Sequence, residues 1–191
     1  MSKVIEKVVH DQTQDFLSEN KLLFEYQSGF RTNHSTEFAL TFLSDKILQG
    51  FDNGLLTGMI LIDLQKAFDT IDHEILFQKM VQIKFSKKVI SWFKCYFSNR
   101  TFLVSINDKL SNRGYLKCGV PQGSILGPLL FLLYVNDMKQ AIKSDLLLYA
   151  DDSCILYRHK EVKVTKERLN EDFSSLCDCF VDHQLSIHFG E

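Results

Sequence analysis

Three aspartates sit where packing alone gives them little to do. Asp151 and Asp152 are adjacent, flanked by the apolar runs Leu146–Ala150 and Ser153–Tyr157, and Asp63 lies near the end of the apolar stretch Thr57–Leu64. Short runs rich in Leu, Ile and Tyr around a tight polar pair predict a β-hairpin with both carboxylates at its tip. Two neighbouring like charges repel, and they are costly to bury without a partner. A divalent cation that selects hard oxygen ligands removes that cost. An isolated Asp-Asp pair is equally what an ordinary surface turn contains, so the decision rests on Asp63. Thr57–Leu64 reads as a buried strand, with Ile60 and Ile62 β-branched, which leaves Asp63 at its exposed end. If the two strands are neighbours in one sheet, three carboxylates gather. Clustered acids on rigid strands are what a two-metal phosphoryl-transfer centre needs.

The elements that must position these acids follow from the rest of the chain. Residues 3–24 alternate charged and apolar positions and suit a short helix pair. A polar loop, Tyr26–Thr36, carries Gly29 and a single arginine, Arg31. A helix from Ser35 to Gly50 has a wide apolar face. Two helices, His73–Phe85 and Ser86–Phe97, come after the Asp63 strand, and Asp72 stands where a cap for the first belongs. Thr101–Asn107 and Gly114–Val120 suit a β-ribbon. Gly119–Ser124 is a turn in which two glycines around Gln122 let the backbone approach a ligand closely. A helix from about Leu126 to Ile142, the aspartate hairpin, a helix over Thr165–Asp182 and a strand over Leu185–Phe189 complete the order. The pattern predicts an α+β fold, an antiparallel sheet with helices on one face.

Composition sets the outer limits. The chain has 191 residues, 45% hydrophobic with 16 Phe and only 2 Pro, enough for one folded domain with a sizeable core. A net charge of −2 argues against a cationic coat, yet Lys79–Lys117 holds nine basic residues against one acid, Asp108. With its interleaved aromatics that segment suits either a surface that tracks phosphates or a solvated helix face. The 5 cysteines show no paired spacing that would make a zinc site, and the histidines show no ligand spacing. The apolar run Ile125–Val135 is too short for a bilayer, and Met1–Asp11 is too charged for a signal peptide. A soluble intracellular protein without membrane partners is expected.

Four stretches together resemble the reverse transcriptases. Asp63–Asp72 (DLQKAFDTID) resembles their motif A, Gly119–Pro128 (GVPQGSILGP) motif B and Tyr149–Asp152 (YADD) motif C, while Phe24–Thr36, with QSGFR, resembles a fingers motif. The order and spacing are most similar to non-LTR retrotransposon enzymes, over roughly residues 24–191. The resemblance implies a polymerase palm, a ferredoxin-like sheet spanning residues 57–191 with fingers insertions within about 73–118. Residues 1–56 would form an N-terminal and partial fingers region. It also implies two Mg²⁺ ions, with Mn²⁺ as a substitute, held by Asp63, Asp151, Asp152 and the backbone carbonyl of Leu64. Phe68 would fall at the steric gate against a 2′-hydroxyl, or be ordinary core. Gln122 and Gly123 would line the nucleotide pocket. Arg31, or Lys21 nearby, would grip the triphosphate. The partners implied are an RNA template, a DNA primer and deoxynucleoside triphosphates.

Relatives continue past this point into a lysine-bearing motif and a thumb, so a truncated chain is expected. Two functions therefore compete: an RNA-directed DNA polymerase domain, and a weak or inactive retrotransposon remnant that only binds nucleic acid or a partner. A metal-dependent nuclease would use similar acids but would not need the Gly119–Ser124 loop.

Overall fold

The computed structural model describes residues 2–32 and 34–188. In chain order the helices are α1 (Ser2–Glu19), α2 (Thr36–Asp52), α3 (His73–Gln82), α4 (Lys87–Phe97), α5 (Leu126–Val135) and α6 (Val162–Asp182). The strands are β1 (Leu56–Ile62), β2 (Leu64–Gln65), β3 (Thr101–Phe102), β4 (Ser105–Ile106), β5 (Lys109–Leu110), β6 (Gly114–Tyr115), β7 (Asp145–Tyr149), β8 (Asp152–His159) and β9 (Ser186–Ile187). The α+β expectation holds. The N-terminal helix pair is instead one helix, α1, whose sequence has no Gly or Pro to break it. The helix expected over Leu126–Ile142 stops at Val135 and gives way to a 3₁₀ turn, Met138–Ala141. The closing strand is confined to Ser186–Ile187, and Phe189 lies outside the described residues.

A three-stranded antiparallel sheet in the order β1-β8-β7 forms the centre. The hairpin β7–β8 forms as expected, with Tyr149 opposite Asp152 and a two-residue turn, Ala150-Asp151. Ala150 takes φ +55°, the left-handed conformation that such tight turns require. Side chains alternate across the sheet. Leu146, Leu148 and Ile155 enter the main core with α5 and α6, whereas Leu147, Cys154 and Leu156 pack against Ala39, Phe42 and Leu43 of α2. The sheet is thus covered on both faces, not one. The cover is incomplete over β1, where Met59 and Leu61 are 46% and 70% exposed, so the stretch read as a buried strand is half-buried.

Helix α5 is the pillar of the core. Nine of its ten residues are buried, which fits a helix that is apolar all round. Pro128 is tolerated because it lies in the first turn, where the missing N–H had no helical partner. Helices α2, α3 and α4 are capped by Ser35, Asp72 and Ser86, each side chain accepting from a backbone N–H in the first turn. Among the described residues no helix is long and apolar enough to cross a membrane.

Lys79 departs from the basic surface segment. It is buried, and its ammonium pairs with Asp137, lies 2.9 Å from His183 Nε2 and stands over the Tyr134 ring. Burial pulls the His183 pKa below its ordinary value, with Lys79 adding to the effect, so the imidazole stays neutral and accepts from the ammonium. The partners make up for the charge that α3 carries inward.

The loop before α2 is fastened to the hairpin. Ser28 N–H donates to the Leu148 carbonyl and Leu148 N–H to the Tyr26 carbonyl, at 2.8 and 2.9 Å. Gly29 passes so close to the turn that a Cβ there would lie 2.1 Å from the Ala150 nitrogen. Gly29→Ala should therefore destabilise the protein by roughly 1–3 kcal/mol, read by denaturant unfolding, with an unchanged midpoint counting against this packing.

Candidate active site

The register of β1 on β8 decides where the acids go. Ile62 pairs with Ser153, so the next residue on one strand, Asp63, and the preceding one on the other, Asp152, meet at the same edge. Both line a cavity of about 620 Å³ whose other walls come from α2, β7 and β8, including Leu40, Leu43, Leu147 and Cys154. Asp151 occupies the tip of the turn and does not line this cavity. The three nevertheless feel one another. The Asp152 carboxyl is held above its ordinary pKa, first by burial, then by the charges of Asp151 and Asp63.

Among the described residues no lysine or arginine pairs with any of the three. His188, just beyond β9, does reach them. Its Nδ1 lies 3.3 Å from Asp63 Oδ2, and its backbone N–H donates to the Asp63 carbonyl at 2.8 Å. Sequence spacing had no means of finding His188, because its proximity depends on β9 pairing with β2. Among the described residues no group of three His, Cys, Asp or Glu side chains is closed around a point that would hold an ion. The donor set nonetheless suits one: anionic oxygens, mutually repelling, with no lysine or arginine among the described residues to offset them.

Leu64 is buried in β2, opposite Ile187. With the His188 N–H on the Asp63 carbonyl, the Leu64–Ile187 pair is of the non-hydrogen-bonded kind, so the Leu64 carbonyl points away from β9 and is not used in that ladder.

The segment after Asp63 and the Gly119–Ser124 turn are laced together. Gly119 N–H donates to the Ile71 carbonyl at 2.8 Å, Val120 N–H to the Phe68 carbonyl at 2.9 Å, and His73 Nε2 lies 2.8 Å from the Gly119 carbonyl. Gly119, at φ +77°, is the closest point, since a Cβ there would lie 2.7 Å from the Asp69 carbonyl oxygen. The close approach expected of this glycine is thus toward the protein's own backbone. Gly123, at φ +71°, faces open space. Gln122 donates to Asp69 at 3.2 Å and lines a separate depression with Arg100 and Phe102, not the cavity of the acids. The Phe68 ring is half-buried, 4.7 Å from Phe131 in the core and 5.7 Å edge-on to Phe30 of the arginine loop.

Arg31, expected to grip the triphosphate, is engaged within its own loop. Its Nη1 donates to the carbonyls of Phe24, Glu25 and Gln27, at 2.7 to 3.3 Å, and so ties the loop to itself. It lines a depression with Lys21 and Glu25, separate from the acids' cavity. A single arginine in a loop of carbonyls that lack ladder partners satisfies them first.

This arrangement has relatives. The family model described as "Reverse transcriptase (RNA-dependent DNA polymerase)" matches residues 1–189. A probable RNA-directed DNA polymerase from transposon BS of Drosophila melanogaster is 34% identical over 82% of the chain, and the polymerase of the mobile element jockey from the same organism 28% identical over 90%. The chain spans only 18% and 19% of those proteins. Among solved structures, telomerase from Candida tropicalis without RNA superposes with a TM-score of 0.59 over 98% of the chain and 36% of its own, at 15% identity. Telomerase from Candida albicans, bound to a fragment of telomeric RNA, gives 0.60 over 96% of the chain and 34% of its own, at 9% identity. With the sheet, the acids and the four motifs in agreement, the chain belongs to the reverse transcriptase family, as a domain related to those of non-LTR retrotransposons.

Proposed function

We propose that this domain is the nucleotidyl-transfer core of an RNA-directed DNA polymerase, extending a DNA primer on an RNA template with deoxynucleoside triphosphates. The observation that carries the reading is the β1–β8 register, which sets Asp63 beside Asp152 with Asp151 adjacent and, among the described residues, no lysine or arginine paired with them. On this reading residues 57–191 act as a ferredoxin-like palm and residues 1–56 supply the N-terminal region and part of the fingers. The three aspartates and the Leu64 carbonyl would hold two divalent ions, Mg²⁺ or Mn²⁺, and an ion bound there would draw Asp63 off His188. Such ions supply an activated primer hydroxyl and a stabilised pyrophosphate leaving group. Phe68, packed on Phe131 and edge-on to Phe30, would face the nucleotide sugar, and Gln122 with Gly123 would shape the nucleotide pocket. Arg31 shapes the fingers loop and is not assigned to the triphosphate.

The direct test is primer extension on a poly-A RNA template with Mg²⁺. Asp151→Asn/Asp152→Asn should lower incorporation by at least about 100-fold relative to the parent chain. Incorporation by neither, with Mg²⁺ still bound by the parent alone, would favour the second reading, a module that binds nucleic acid without extending it.

Phe68→Ala should shift the deoxy-to-ribonucleotide ratio by about tenfold toward ribonucleotides, the scale of losing one steric contact. An unchanged ratio would make Phe68 a core residue only.

The cost of keeping Asp152 charged, from burial first and from Asp151 and Asp63 second, has a pH signature. A carboxyl whose folded pKa is raised binds its proton more tightly in the folded state. Stability therefore falls as pH rises from the unfolded value near 3.8 through the raised folded value, and the penalty persists at neutral pH. With a chelator present, Asp152→Asn should melt higher than the parent at pH 7, and the gain should fade below about pH 3. Thermal melts that show no gain at pH 7 would contradict the electrostatic account.

A further inference from the structure

Helix α1 lies far from the acids in sequence and lines no wall of their cavity. Its first two turns nonetheless hold the Gly119–Ser124 turn where it becomes α5. Glu6 is only 5% exposed, and its Oε2 accepts from the Ile125 backbone N–H at 2.9 Å. Lys3, one turn earlier on the same helix, donates to the Gly123 carbonyl. An anion thus holds one backbone group and a cation another two residues away, with Ser124 between them.

The need for outside help is plain from α5 itself. Ile125 stands at its N-cap and has no side-chain oxygen to offer, while the Ser124 hydroxyl takes the Gly127 N–H, at 3.0 Å. The first four N–H groups of a helix lack helical partners, and a carboxylate at that end also meets the positive pole of the helix. A buried carboxylate is costly unless such groups receive it. Gly123, at φ +71°, would meet no atom within 4 Å if it carried a Cβ, so packing around that position does not fix the turn. From these contacts we infer that Glu6 is a positioning residue for the nucleotide-pocket turn, acting through the Ile125 N–H to fix the path of Gln122-Gly123. The inference rests on the proposed role of that turn in nucleotide binding.

The test uses the whole chain with Glu6→Ala and Glu6→Gln, the second retaining a neutral acceptor of the same shape. Backbone amide exchange is read at Ile125–Gly127 and, as a control, in the β7–β8 hairpin. Binding of deoxythymidine triphosphate with Mg²⁺ is titrated in parallel. Glu6→Ala should speed exchange at Ile125–Gly127 by about tenfold or more, the effect of losing one charge-assisted hydrogen bond, with the hairpin unchanged. It should weaken nucleotide binding by a similar factor, with Glu6→Gln restoring most of both. In primer extension the loss should fall on the KM for the nucleotide and not on kcat. Unchanged exchange at Ile125–Gly127, or exchange that rises equally in the hairpin, would overturn the inference. So would nucleotide binding equal to the parent in both variants. A parent chain that takes up no nucleotide would sink the proposed function instead, and the exchange result alone would then decide whether Glu6 fixes the turn.

Discussion

The structure depends on a conflict between strand pairing and charge. Seven consecutive residue pairs lock β1 to β8, and side-chain alternation allows no slip of one position without turning each strand's apolar set to the wrong face. That lock forces Asp63 next to Asp152, while the tight turn adds Asp151 beside them. The hydrophobic core therefore holds like charges at a spacing they would not choose. The Asp152 carboxyl is held above its ordinary pKa, by burial first and by the charges of Asp151 and Asp63 after it. Catalytic sites are where a fold tolerates such unfavourable arrangements, because the rest of the domain stabilises them.

Around this edge, the loops are placed by backbone contacts more than by side chains. Gly29 lets the arginine loop lie against the Ala150 turn, and Gly119 lets the Gln122 turn lie against Asp69. Each glycine permits one backbone to pass another closer than any Cβ would allow. The two loops meet at Phe68, whose ring touches Phe30 of one and whose backbone carbonyl accepts from the Val120 N–H of the other. Behind them, the Lys79–Asp137–His183 network joins α3, the segment after α5 and the end of α6. From there the chain turns into β9 and delivers His188 to Asp63.

Much of this was legible in the residues, and the exceptions have physical causes. The aspartate hairpin, the cap at Asp72 and the amphipathic α6 rest on local periodicity and turn chemistry, which sequence carries directly. Thr57–Leu64 misled because an apolar run gives no sign that α2 covers only part of its outer face, leaving Leu61 open. Lys79 misled for a related reason: a cation in sequence looks outward until a carboxylate beneath the surface is shown to claim it. His188 and Glu6 gave no sequence signal, since each acts across a pairing or packing contact more than 100 residues away.

The central claim is that Asp63 and the Asp151–Asp152 turn form one cation site assembled by the sheet. Paramagnetic broadening by substoichiometric Mn²⁺ in a backbone amide spectrum tests it most directly. The account predicts that Ile62–Leu64 and Ala150–Ser153 lose intensity together at the lowest additions, and that Asp63→Asn abolishes the effect at both. Broadening confined to one strand, or unaffected by that substitution, would contradict it.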